Sequence, residues 1–177
     1  VAGPPRSPVF LADLATGRSL RVGSGWPWPV GDAAISPDGR QAAWTRGFGL
    51  GGRPPWRGKH LLSLDLADPA AEPAVGEDPL PVPADVLTLS ADGSRVALLA
   101  HSALLVHDLP SGRRIGAVAP QDRTYLVGLQ FPDPDTLSIL RLATHGMEGD
   151  LKVQDLGLAR FDLRTLDLTV TGTVRGL

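Results

Sequence analysis

The chain has no cysteine, no asparagine and a single methionine among its 177 residues. Without cysteine there is no disulfide and no thiolate metal site. The compartment stays open, because cysteine-free proteins live on both sides of a membrane. Lysine is almost missing too: Lys59 and Lys152 are the only ones, and arginine carries the rest of the positive charge. We read that usage as genome composition, not as function. Net charge is −2 with no basic block, so nothing marks a nucleic-acid footprint. No apolar run approaches the roughly 20 residues that span a bilayer. No signal-peptide pattern is visible, as is also true of a chain from which one has been removed. What remains is a globular composition, 42% hydrophobic and 20% charged, of a length that suits one domain or part of one.

Repeats organise the chain. Four segments, VFLADLATGR, HLLSLDLADP, ALLVHDLPSGR and LARFDLRTL, each read as an apolar strand ending in Asp-Leu and a turn. Their aspartates are Asp13, Asp65, Asp108 and Asp162, at steps of 52, 43 and 54 residues. A strand–turn–strand element precedes the last three: AAISPDGRQAAWT, VLTLSADGSRVALLA and VGLQFPDPDTLSILRL. In SPDG the proline presets the turn, Asp38 favours the next position and Gly39 takes the left-handed conformation that closes the hairpin. SADG repeats this with Asp92 and Gly93, whereas FPDPD lacks the glycine and must turn differently. Each unit therefore reads strand a, tight turn, strand b, connection, strand c, Asp-Leu turn, strand d. Helical periodicity is weak, and the apolar runs are short and bounded by Gly, Pro or Asp.

Four-stranded units at periods of 40 to 50 residues are the pattern of propeller blades. The sequence resembles the bacterial TolB-like and WD-repeat-like β-propellers, in the stretches ISPDGRQAAW at 35–44 and LSADGSRVAL at 89–98 and in the Asp-Leu turns. It departs from the eukaryotic pattern, since no Trp-Asp pair ends strand c. The expected fold is all-β: a partial β-propeller, with a half blade at 9–22 and three full four-stranded antiparallel blades at roughly 32–82, 85–119 and 124–174. Propellers close with 4 to 8 blades, and open blades leave exposed edges. We therefore expect a fragment of a longer propeller, or a chain completed by another subunit.

Aligning strand c by its aspartate puts Ala12, Leu64, His107 and Phe161 in one column. The column is expected to face a blade-to-blade interface, with His107 a buried, hydrogen-bonded histidine. The Asp column reads as turn chemistry, carboxylates accepting backbone N–H bonds. Trp44, inside strand b, reads as core. The acidic residues Glu72, Glu77, Asp78 and Asp85 read as a solvated rim.

The irregular connections carry the candidate site. In a propeller the d-to-a and b-to-c connections leave one face. Here they are VGSGWPWPVGD, RGFGLGGRPPWRG, LATHGMEGDLKVQ and part of the proline-rich 67–85 stretch. Loops carry function on a rigid scaffold, and interfaces are enriched in Trp and Arg. The candidate binding residues are Trp26, Trp28, Phe48, Arg53, Trp56 and Arg57, with Arg46 beside them. The competing reading is that the tryptophans pack the loops onto their own scaffold.

Other chemistry is missing. Gly47, Gly49 and Gly52 spell G-x-G-x-x-G, but a dinucleotide loop must lead into a helix, and here Pro54-Pro55 and Gly58 lead to strand c. His60, His101, His107 and His145 are scattered, with no zinc or calcium spacing. No nucleophile elbow appears, so the sequence offers no catalytic residue, metal or cofactor. The expectation is a non-enzymatic module that binds a protein or peptide. The resemblance implies a sensor or scaffold outside the bacterial cytoplasm, often behind a membrane anchor. The alternatives are a propeller gating a prolyl-oligopeptidase-type peptidase whose catalytic domain lies outside this chain, and a sugar- or small-ligand-binding propeller.

Overall fold

A computed structural model of the chain describes residues 7–13, 18–26, 30–46, 60–68, 72–80, 84, 86–100, 103–119, 124–145 and 152–175. All regular structure among them is β. Strands β1 (Ser7–Asp13) and β2 (Arg18–Trp26) form an antiparallel pair. Three antiparallel four-stranded sheets follow, each with its strands side by side in chain order. The first holds β3 (Val30–Ile35), β4 (Gln41–Arg46), β5 (Leu61–Asp65) and β6 (Ala74–Val75). The second holds β7 (Val86–Leu89), β8 (Arg95–Ala100), β9 (Ala103–Asp108) and β10 (Arg114–Val118). The third holds β11 (Thr124–Asp133), β12 (Thr136–His145), β13 (Lys152–Asp162) and β14 (Asp167–Arg175). Stacked four-stranded sheets in this order are β-propeller blades, and the ring is open. The all-β partial propeller expected from the repeats is the fold observed.

The repeated turns have one internal construction. Gly39 and Gly93 take φ of +71° and +68°, as the hairpins require. The carbonyls of Ser36 and Ser90 accept from their N–H groups at 2.8 and 3.0 Å. The serine hydroxyls matter as much. Ser36 Oγ donates to Asp38 Oδ1 at 2.5 Å and accepts from Gln41 N at 2.9 Å. Ser90 Oγ donates to Asp92 at 2.6 Å and accepts from Arg95 N at 3.0 Å. Each serine thus clamps the turn to the start of strand b. In the third blade Phe131 stands where the serine was and Pro134 where the glycine was. Asp133 there pairs directly with Thr136 across a two-residue loop, and its Oδ1 accepts from Asp135 N at 3.0 Å.

The core lies between the sheets. Along β8 the side chains alternate, and both faces are covered. Val96, Leu98 and Ala100 pack with Ala43 and Leu61 of the preceding blade, joined by Leu80 and Ala84 from the connection between blades. Ala97 and Leu99, with Leu104 and Val106 of β9, pack against Leu137, Ile139, Ala159 and Phe161 of the following blade. This is why strand b reads as a continuous apolar run instead of an alternating one. The strand-c column behaves as expected at three places: Leu64, His107 and Phe161 are buried. Ala12 is exposed, because no sheet among the described residues covers that side of β1. Trp44 is core, 3% exposed.

One contact between blades depends on two glycines. Gly112, φ +67°, lies against Gly76, and a Cβ built on it would sit 2.2 Å from the Gly76 Cα. The same junction carries a bond from Glu77 N to the Ser111 carbonyl at 2.9 Å. Gly39 has similar backbone angles and nothing within 4 Å of its virtual Cβ. Gly39→Ala therefore costs only the left-handed strain, about 1–2 kcal/mol. Gly112→Ala adds a backbone clash, and urea unfolding should show a clearly larger loss for it than for Gly39→Ala. Equal losses would mean that the junction is not tightly packed.

Candidate interaction faces

The strand order gives each blade two ends. The a-to-b and c-to-d turns share one end, and the b-to-c connections leave from the other. The turn end is closed by polar contacts that link blades. Arg95, the first residue of strand b in its blade, reaches the next blade's turn: Nη1 donates to the Pro134 carbonyl at 2.5 Å and to Asp135 Oδ1 at 2.6 Å. Arg164 donates from Nε to Asp135 Oδ2 at 2.8 Å and from Nη2 to the same oxygen. The two guanidinium groups, Arg95 first, hold the Asp135 carboxyl below the ordinary carboxylate range. Gln41 occupies the place of Arg95 one blade earlier, and its side chain lies over Gly93, where a Cβ would come within 2.6 Å of Gln41 Cγ.

The Asp-Leu turns are the turn chemistry expected, with one exception. Asp65 Oδ1 accepts from Ala67 N at 2.9 Å, and Asp162 Oδ1 from Arg164 N at 2.8 Å. Asp108 cannot do the same, because the residue two places on is Pro110, which has no N–H. It lies instead 3.6 Å from Arg113, and Ser111 Oγ accepts the Arg113 N–H at 3.1 Å. The Asp38 and Asp92 carboxyls are held low, chiefly by the Ser36 and Ser90 hydroxyls. The Pro-Asp-Gly pattern of these turns does not reveal the serines' part, although Ser-x-Asp recurs at the same offset in both. Of the acidic residues read as a rim, Glu72 and Glu77 are exposed and Asp85 lies outside the described residues. Asp78 does more, accepting the Arg114 N–H at 2.6 Å.

His107 is the buried, hydrogen-bonded histidine expected. It is 1% exposed, and its Nδ1 lies 2.8 Å from the Gly112 carbonyl. A carbonyl only accepts, so Nδ1 carries the proton, and Nε2 is buried without a partner among the described residues. Burial pushes the imidazole pKa down, opposed by the Gly112 carbonyl. Among the described residues no three His, Asp or Glu side chains gather as metal ligands would.

At the opposite end, Trp26 closes β2, and Arg46 closes β4. Trp28, Phe48, Arg53, Trp56 and Arg57 lie outside the described residues, as do Gly47, Gly49 and Gly52. The described residues bring one further feature to this end. Strands β12 and β13 have 10 and 11 residues, against 6 each for β8 and β9. Both pairs start or finish alike at the turn end, so the extra residues extend the last blade toward the b-to-c end. Tyr125, 41% exposed, pairs with Leu142 on this extension, and Val127, 39% exposed, lies at its base, between the partners of Arg141 and Leu140. Sequence reading missed them because they sit inside a strand and not in a loop.

The blade geometry defines the class of protein, a β-propeller, and similar folds are known. The chain is similar to hydrazine synthase from Kuenenia stuttgartiensis, with TM-score 0.58 and 12% identity over 93% of this chain and 47% of that one. It is similar to the tricorn protease, with TM-score 0.57 and 14% identity over 95% of this chain and 20% of that one. It is also similar to the β-propeller domain of the Trilobed protease from Pyrococcus furiosus, which has an open velcro topology. There the TM-score is 0.54 and the identity 10%, over 96% of this chain and 49% of that one. The chain thus spans about half, or less, of the chains it resembles. At these identities the likeness is one of fold. No family model matches the sequence, and no curated protein matches it. No helix among the described residues is long and apolar enough to cross a membrane.

The His107 geometry fixes the sign of a pH effect. Its folded-state pKa lies below the ordinary value near 6.5, so the unfolded chain takes up the proton first. The stability it contributes is complete above about 6.5 and is lost as pH falls through that value toward the folded one. Chemical denaturation of the parent chain should lose stability between about pH 7 and 5, and His107→Asn, which keeps a donor for Gly112, should flatten that slope. An unchanged slope in the variant would assign the effect to another group.

Proposed function

We propose that this chain is a non-enzymatic β-propeller module that binds a protein or peptide partner at the end of its blades where the long connections leave. The observation that carries the reading is the contrast between the two ends. The turn end is bound up in its own hydrogen bonds and ion pairs, at Ser36, Ser90, Arg95 and Asp135. The other end carries an extended sheet with exposed Tyr125 and Val127. On this reading the connections from β2 to β3 and from β4 to β5, whose sequences hold Trp28, Phe48, Arg53, Trp56 and Arg57, contribute the anchors, with Trp26 the last residue of β2. Rigid amphipathic aromatics and arginines are the side chains that anchor protein interfaces. A sensor or scaffold role outside the cytoplasm, with the ring completed by further blades, fits the same reading.

A second reading has its own support. Two of the similar folds belong to proteases. In that case the propeller gates a peptidase domain elsewhere in the polypeptide, and the same end faces the catalytic chamber. The two separate on the whole gene product: peptide hydrolysis by an attached domain supports the gate, and a lipoprotein or membrane anchor without a peptidase supports the sensor.

The binding reading is tested by cross-linking a partner to the intact protein, identifying it, and titrating it against tryptophan fluorescence. Replacing Trp26, Trp28 and Trp56 together by Ala should weaken binding by at least tenfold, since interface anchors are worth about 2 kcal/mol or more. Unchanged affinity in a folded triple variant would remove these residues from the site.

A further inference from the structure

In the three full blades the strand-c column holds Leu64, His107 and Phe161, all buried. The repeat thus fits an apolar side chain at this place, and a histidine there breaks the local rule. Its surroundings are the junction between the first and second blades. Leu105, two residues earlier on β9, packs with the first blade, so His107 faces that blade too. Its Nδ1 donates to the Gly112 carbonyl, and Gly112 lies against Gly76. Residues Ala74 to Leu80 cross this junction as a strap, and the strap is lightly held. Strand β6 has two residues, both exposed, against 5 in β10 and 9 in β14. It pairs with β5 at Leu62–Val75 and Ser63–Ala74, followed by one bond from Gly76 N to the Leu61 carbonyl at 2.8 Å. Two polar ties join the strap to the second blade, and both go to the turn that His107 supports. Glu77 N donates to the Ser111 carbonyl at 2.9 Å, and Asp78 Oδ2 accepts from Arg114 N at 2.6 Å. Leu80 anchors the far end in the cluster of Val96, Leu98 and Leu105.

We propose that this junction is an acid-released latch: protonation of His107 frees the strap from the second blade while the blades themselves stay folded. In the neutral ring Nδ1 carries the proton, and its bond to Gly112 survives when a second proton arrives. That second proton goes to Nε2, which is buried without a partner among the described residues. A buried N–H of a charged ring is costly without an acceptor, and opening the junction supplies water as one. The charges around the ring do not remove the need. Asp78, on the strap, and Asp108, on β9, favour the charged form, and Arg114, on β10, opposes it. Asp78 Oδ2 is already taken by the Arg114 N–H, and Asp108 lies 3.6 Å from Arg113. Val96, opposite His107 on β8, is apolar, and Glu77 is exposed to solvent. Burial, the largest influence, keeps the closed imidazole neutral to below its ordinary value of 6.5. In the open junction the ring meets water and titrates near that ordinary value. Opening therefore gains nothing from pH above about 6.5, and becomes easier as pH falls through that value toward the folded one. The strap is the side that yields, because two ladder pairs hold it. Its release uncovers Leu61, Leu80 and Leu105, all buried while the latch is closed.

The latch is independent of the loop-end binding reading, so the two fail separately. Hydrogen exchange of the intact protein tests it, read by mass spectrometry and corrected for the intrinsic pH dependence of amide exchange. Peptides covering 74–80 and 108–114 should exchange faster than 137–142 of the last blade. Their exchange should be insensitive to low urea, because a local opening exposes little surface. Between about pH 7 and 5 their protection should fall by up to about tenfold per pH unit, the limit for one proton. His107→Asn keeps a donor for Gly112 and should hold protection constant across that range. Asp78→Asn is the second variant, should His107→Asn fail to fold. It keeps an acceptor for the Arg114 N–H and removes the carboxylate, so the acid loss should persist. Protection that does not change with pH in the parent overturns the proposal. So does exchange that rises with urea in step with 137–142, since the strap then opens only with the whole propeller. An acid loss that persists in His107→Asn, or vanishes in Asp78→Asn, assigns the trigger to another group and overturns it as well.

Discussion

Everything in this structure depends on the middle blade being apolar on both faces. Val96, Leu98 and Ala100 point one way, Ala97 and Leu99 the other, and each set meets a neighbouring blade. A strand with only one buried face would make a single sheet with a wet side. Two buried faces make a stack, and a stack whose members are each rotated by sheet twist becomes a propeller. The blades on either side exist as ordered sheets because this one supplies them with a partner surface. The small residues matter in the same way. Ala43, Ala97 and Ala159 share these clusters with leucines and Phe161, so small and large side chains are mixed where neighbouring sheets meet.

The polar contacts at the turn end are secondary to that packing but give it register. The serine clamps fix where each strand b begins. Arg95 then measures the distance to the next blade's turn, and the Gly76–Gly112 contact does the same one junction earlier. These groups are partly exposed, where ion pairs add little stability. Their effect is on alignment. A blade displaced along its neighbour would lose the pairing of Arg95 with Asp135 and leave Gly112 facing something with a side chain.

Much of this was legible in the residues. The turn sequences SPDG and SADG specify φ > 0 at Gly39 and Gly93 for steric reasons that act within four residues. The run RVALLA, bounded by a turn and a polar break, can only be a strand buried on both sides or a short buried helix, and its length decides for the strand. His107 could be assigned to the interior because its column mates are apolar. The candidate site was less legible. The tryptophans and arginines of the connections stand out by composition alone. Tyr125 and Val127 do not, since nothing local distinguishes an exposed strand residue from a buried one.

The amino-acid sequence by itself determined the blade: its four strands, its turns, and which positions are apolar. Those follow from backbone sterics and from the two-residue period of a strand, both of which act at short range. Only the tertiary structure decided which apolar faces find a partner. Leu104 and Leu158 occupy the same place in the repeat and carry the same side chain, yet one is fully buried and the other is 53% exposed. No local pattern separates them, because burial is set by whether another sheet lies across the face.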